Sequence, residues 1–216
     1  MMQKKSNSYS VLIVVCSLYL SGCAVGNKYK IEDSKIQFTS TGSSTVSVGA
    51  LDQRPYVIEK TSPVTYIGMV RGGFGNPFNA TTNNGLPFSD NISKSICLSL
   101  ADKGYNVKQV ILTPELTEEE SIKRIIAQGQ DKNIIVLIKK WESDVFMNFN
   151  VSYELLLKVI SSKGEIIAEA KNKEEINASG SIFKEPIGLS KSEVPRIYKK
   201  SLEELINNPR IINALK

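Results

Sequence analysis

Between Met147 and Ile160 the chain reads "MNFNVSYELLLKVI", and its apolar residues fall on every second position. Met147, Phe149, Val151, Tyr153, Leu155, Leu157 and Val159 share one face, the period-2 pattern of a strand with one side against a core. "SSKG" then turns the chain, and "EIIAEAKN" returns as the partner of a hairpin. A long hairpin with one apolar face needs other elements to cover it. Just before it stands "NIIVLIKKW", Asn133 to Trp141, whose unbroken apolar start is the pattern of a central strand covered on both faces. Together the two segments require a sheet with helices packed on it.

The rest of the chain supplies those elements. "TVSVGAL", Thr45 to Leu51, and "VTYIGMV", Val64 to Val70, are β-branched and read as strands. The run from Arg71 to Phe88 reads as one long loop of about 18 residues. Ser89 is a good N-cap, followed by a helix with Ile92, Ile96, Cys97 and Leu100 on one face and a stop at Gly104. "YNVKQVIL" is a further strand. "TEEE", Thr117 to Glu120, is a capping box ahead of Ile122, Ile125 and Ile126. "WESD", Trp141 to Asp144, reads as a solvated turn beside a core-edge Trp, and Lys171 to Ser190 reads as largely irregular. The end is helical, with Val194, Ile197, Tyr198, Leu202 and Leu205 on one face, and Pro209 opens a last short helix. The order is β-β-α-β-α-β-β-β-α. The fold class is α/β of the α+β kind, a single mixed β-sheet with helices packed on it.

The first residues belong to no fold. Lys4 and Lys5 precede "YSVLIVVCSLYL", an apolar run shorter than the about 20 residues of a membrane span. Small residues follow, as at a secretory cleavage site. "LSGC", Leu20 to Cys23, is similar to the lipobox of bacterial lipoprotein precursors. That resemblance implies removal of residues 1–22, a diacylglyceryl group on the Cys23 sulfur and an acyl chain on its amino group. Ala24, rather than Asp, after the Cys implies the outer membrane, facing the periplasm. Several acyl chains hold a protein on a membrane where one alone binds reversibly. Residues 23–44 are polar and without sustained periodicity, and read as a flexible tether of up to roughly 70 Å. The domain is then 45–216.

Composition narrows the chemistry. There is no histidine, so histidine-based catalysis and the commonest metal ligand are absent. Of three cysteines, Cys16 leaves with the signal peptide and Cys23 carries lipid, which leaves Cys97 without a disulfide partner. Losing Lys4 and Lys5 lowers the basic count from 27 to 25 against 22 acidic residues, a net charge of +3. That balance, spread along the chain, gives no basic patch for nucleic acid.

"VSVGALDQRPYV", "YIGMVRGGFGNPF" and "LPFSDNISKSICLSLADKGYNV" together resemble the YajG-type group of outer-membrane lipoproteins. The shared features are Asp52 and Arg54 after the first strand, Gly68 and Arg71 on the second, and Gly104 to Val107. The resemblance covers about residues 45–160. It implies a fold similar to the TolB amino-terminal or curli-secretion lipoprotein domains, which act in envelope assembly by contacting other proteins. It implies no activity.

Two sets of residues are candidate sites. In "RGGFGNPFN", Arg71 to Asn79, Gly72, Gly73 and Gly75 provide turns. The loop lacks the Gly-Lys-Ser/Thr of a nucleotide-phosphate loop. Phe74 and Phe78 either tuck into the core edge or, beside Arg71, dock into an envelope protein. Asp52, Arg54 and Arg71 either form an ion pair that pins the loop base or hold an anionic ligand, such as a glycan or lipid fragment. As an acid–base set they lack a second tuned group. The chain therefore reads as a lipid-anchored interaction protein of envelope assembly or integrity, without catalysis, metal or cofactor beyond its own lipid.

Overall fold

A computed structural model describes residues 27–32, 34–72, 74–179 and 186–216. Cys23, the expected signal peptide at 1–22 and Gly73 lie outside the described residues. The strands are β1 (Lys28–Tyr29), β2 (Thr45–Asp52), β3 (Tyr66–Arg71), β4 (Pro77–Thr82), β5 (Asn106–Val110), β6 (Lys132–Val145), β7 (Asn148–Ser161) and β8 (Ile166–Ser179). The helices are α1 (Pro55–Ile58), α2 (Phe88–Ala101), α3 (Glu118–Ile126), α4 (Pro186–Ile206) and α5 (Pro209–Leu215). All eight strands join one mixed sheet, as the α+β reading requires.

β6 is its axis. Along one edge its first half takes β2 in parallel, from Val46 opposite Lys132 to Asp52 opposite Ile138. Its far end takes β3 in parallel, at Met69–Asp144 and Val70–Val145. The other edge carries β7, antiparallel over nearly the whole length, and β8 lies beyond it. β5 flanks β2, while β4 and then β1 flank β3. The register of β6 slips between Ile138 and Lys140, where β2 leaves its edge and before β3 joins it.

Both faces of β6 are buried, which explains its apolar run. Ile134, Val136 and Ile138 join Val46, Val48 and Ala50 in the main core, covered by α2, α4 and α5. Ile135 and Leu137 join Leu51, Val110 and Leu112 in a smaller core under Ile125 of α3. Phe149, Val151, Tyr153, Leu155, Leu157 and Val159 of β7 all face the main core. Met147 is the exception to the alternation, 74% exposed in the turn that precedes β7. The capping box of α3 forms, with the Glu120 amide donating to Thr117 Oγ1 and the Thr117 amide to the Glu120 carboxylate.

Several sequence-based expectations differ from the structure. Residues 28–44 are not a free tether: Tyr29, Ile31, Ile36 and Phe38 are buried in the main core. Side chains at the end of α4 hold this strap, with Glu203 accepting from the Gln37 amide and Asn207 from the Thr39 amide. The Arg71–Phe88 loop contains β4, whose cross-strand partner β3 compensates for a weak strand sequence. "WESD" is no turn. It lies within β6, and Trp141 is central to the core, 5.0 Å from Phe88 and 5.5 Å from Tyr153 between ring centres. The segment after Lys171 stays in β8 as far as Ser179, because β7 pairs with it throughout. The structure also adds α1, and it starts α2 at Phe88, after Pro87, so Ser89 lies inside the first turn.

Candidate functional site

Asp52 and Arg54 meet where β2 parts from β6. Arg54 Nε donates to Asp52 Oδ1 at 2.8 Å and Nη2 to Oδ2 at 2.6 Å. Nη1 donates to the carbonyl of Tyr66 at 2.7 Å, which ties this turn to the start of β3. Neither side chain is exposed beyond 1%. The rings of Phe88 and Tyr56 lie 5.0 and 5.4 Å from the guanidinium carbon. Burial opposes the charge on Arg54, but the bonds and charge of Asp52 outweigh it and raise its pKa. The pair is enclosed, and the Asp52 carboxylate and the Tyr66 carbonyl take the guanidinium's Nε, Nη2 and Nη1 donors.

Arg71 does not join that pair. It turns to Asp144 on β6, with Nε 3.0 Å from Oδ1 and Nη2 2.7 Å from Oδ2. Both are about one-third exposed, at 35% and 38%. This bidentate contact bolts the end of β3 to β6. Beside it, Ser143 Oγ donates to the carbonyl of Ile67. Gly68 makes that approach possible: its φ is +147°, and a Cβ there would stand 1.9 Å from Ser143 Oγ. Asp52, Arg54 and Arg71 are thus two separate ion pairs rather than one site.

Beyond Arg71 the chain makes a tight tip. The Gly72 amide donates to the carbonyl of Asn76 and the Gly75 amide to that of Gly72. Gly75 has φ +82°, a value that favours glycine there; Gly72 is not among the positive-φ residues. The two phenylalanines divide between the alternatives. Phe78 is half-buried, its ring beside Gly72, whereas Phe74 is 99% exposed. The parallel pairing of Val70 with Val145 sets a second tip alongside. There the Phe146 amide donates to the carbonyl of Asn148, and Phe146 and Met147 are 38% and 74% exposed. No charged residue occurs from Gly72 to Asn84 or from Val145 to Ser152. The second tip escapes a sequence reading because it lacks Gly and Pro, and Met147 fits the strand alternation.

Other features carry less. A shallow depression of about 520 Å³ on the open face of the sheet is lined by Lys140, Glu142, Asp144, Asn150, Ser152 and Glu175. Cys97 is half-buried on α2, and burial pushes its thiol up to about 12, far from a reactive thiolate. Among the described residues no cluster of three or more acidic or cysteine side chains is placed to hold a metal ion. No helix among them is long and apolar enough to cross a membrane.

No family model and no curated protein matches this chain. Solved structures with a similar arrangement include protein XCC0632 from Xanthomonas campestris, of the DUF330 family. It has 13% identity over 88% of this chain and 94% of that one, with a TM-score of 0.46. Two bacterial lipoproteins are also similar. The LpoB C-terminal domain from Salmonella enterica has 14% identity over 64% and 87% of the two chains and a TM-score of 0.33. Lipoprotein GNA1162 from Neisseria meningitidis has 12% identity over 72% and 98% and a TM-score of 0.29. At these scores the likeness carries nothing about function, and the YajG-type resemblance rests on its own residues alone.

Proposed function

We propose that this chain is a non-catalytic interaction domain, held by lipid on Cys23 at the outer membrane and facing the periplasm. Its role lies in the assembly or integrity of the cell envelope. Its working surface is the end of the sheet formed by the β3–β4 and β6–β7 tips. One observation carries this reading: Phe74 is 99% exposed on a hairpin whose base is fixed by the Arg71–Asp144 pair. Leaving such a ring in water forgoes about 1.5–3 kcal/mol of burial. A rigid base under an exposed aromatic is the arrangement of a contact residue.

The reading in which a glycan or anionic lipid fragment is held by Arg54 and Arg71 has no such support. Arg54 is buried and bonded to Asp52 and Tyr66, and Arg71 already has a carboxylate partner.

A photo-crosslinking residue at position 74, in cells carrying the anchored protein, tests the proposal. The expected result is a defined adduct with an envelope component. Crosslinks confined to this chain's own residues would overturn the tip as a working surface.

A further inference from the structure

We infer that the surface facing the two tips is the bilayer that anchors the protein, with Phe74, Phe146 and Met147 resting among the lipid headgroups. The inference rests on the reading that Cys23 is acylated.

The path of the chain leads there. β1 runs parallel to β4, with Lys28 opposite Thr81 and Tyr29 opposite Thr82, and the Asn27 carbonyl accepts from the Thr81 amide. β4 begins at the tip with Pro77 and runs away from it. β1 therefore enters the fold from the tip side. Cys23 precedes Asn27 by four positions, a span of at most about 14 Å.

Because Tyr29, Ile31, Ile36 and Phe38 are packed into the core, the fold begins close to Asn27 and residues 28–38 do not serve as a long tether. Pro77 lies four positions from Thr81 along β4, about 13 Å at strand spacing. The tip thus projects about as far past Asn27 as the anchor reaches. The β7–β8 turn lies at the other end of strands 14 residues long, roughly 40 Å away and out of the anchor's range.

The chemistry of that end suits a lipid surface. Past the Arg71–Asp144 pair both tips are uncharged and present two Phe and one Met side chain. Asn76, Asn79 and Asn148 stand beside them with amides that bond readily at headgroup level. An apolar group entering the headgroup–acyl boundary binds through buried area, with charge adding to it where present. Without charge, the contact holds on zwitterionic lipid and is insensitive to salt.

The test uses acylated full-length protein extracted from membranes and placed in phosphatidylcholine vesicles that contain nitroxide-labelled lipid. Its intact mass first reports the lipid on Cys23. In a Cys97→Ser background, a fluorophore is attached at Phe74→Cys, Met147→Cys or, at the opposite end, Lys163→Cys. The expected result is loss of about half the fluorescence at 74 and 147, little at 163, and no change in high salt. Acylated protein with 74 and 147 as unquenched as 163 would overturn the membrane contact and leave the tips to a protein partner or a second copy. An unmodified Cys23 would overturn the anchor and, with it, this inference.

Discussion

Arg54 and Asp52 form a closed bidentate pair, Nη2 to Oδ2 at 2.6 Å, with neither side chain more than 1% exposed. The pair joins the end of β2 to the start of β3 through the Tyr66 carbonyl. Removing one partner strands a buried charge. Asp52→Ala is expected to cost about 3–5 kcal/mol in urea unfolding. The double change Asp52→Leu with Arg54→Met is expected to recover much of that loss, because it removes both charges. A neutral effect of Asp52→Ala would show that the pair is not a clamp.

The close passage of β3 over β6 depends on Gly68. An added Cβ meets not just Ser143 Oγ but also the Ser143 carbonyl oxygen at 2.5 Å and amide nitrogen at 2.8 Å. Gly68→Ala is expected to destabilise by about 3 kcal/mol or more, from strain and overpacking. Ser143→Ala is expected not to rescue it, because the backbone contacts remain. Rescue in thermal melts would place the conflict in the hydroxyl alone.

Phe74 and Phe38 are predicted to behave in opposite ways. Phe74→Ser changes stability by less than about 0.5 kcal/mol, since the ring touches little. Phe38→Ala loses about 3–5 kcal/mol, since that ring is 2% exposed in the main core. Denaturant titration of both variants checks the pair. A neutral Phe38→Ala would restore the strap to a tether.

Stability is expected to be flat from about pH 5 to about pH 9, because no histidine titrates there. Below that window it falls. Hydrogen bonds lower the pKa values of Glu115, Glu120, Asp131, Glu154 and Glu174 in the fold, so their contribution is present above the unfolded values and lost on acidification. Asp90, raised by burial, opposes them. Above the window stability falls again. Burial raises Cys97 and Tyr29, Tyr56, Tyr66, Tyr153 and Tyr198, so their contribution is complete below the unfolded values of 9.0 for the thiol and 10.0 for the phenols and is lost as pH climbs past them, the thiol first. Urea midpoints measured across pH report both edges, and a sharp transition near neutrality would contradict the assignment.

Some of this was legible in the residues. The alternation of Phe149 to Val159 and the run Ile134 to Ile138 reflect one- and two-sided burial, which sequence encodes directly. Thr117 and Glu120 announced their capping box for the same local reason. The rest depends on pairing. "PFNATT" becomes a strand because β3 lies beside it, and Arg71 finds Asp144 73 positions away through the β3–β6 register. Ile31, Ile36 and Phe38 follow no period, because an extended strap contacts the core at irregular intervals. Of the proposed surface, Phe74 was visible in its glycine-rich loop, whereas Phe146 and Met147 were hidden in an apparent strand.

On the proposed reading, the domain works with its tip end against the membrane that a lipid on Cys23 engages. Amide hydrogen exchange compares acylated protein on phosphatidylcholine vesicles with Cys23→Ser protein in solution. Slowing is expected to concentrate in the two tips, around residues 72–76 and 146–148, with no change in the turn at residues 161–166. Slowing at that turn, or at neither end, would contradict this reading.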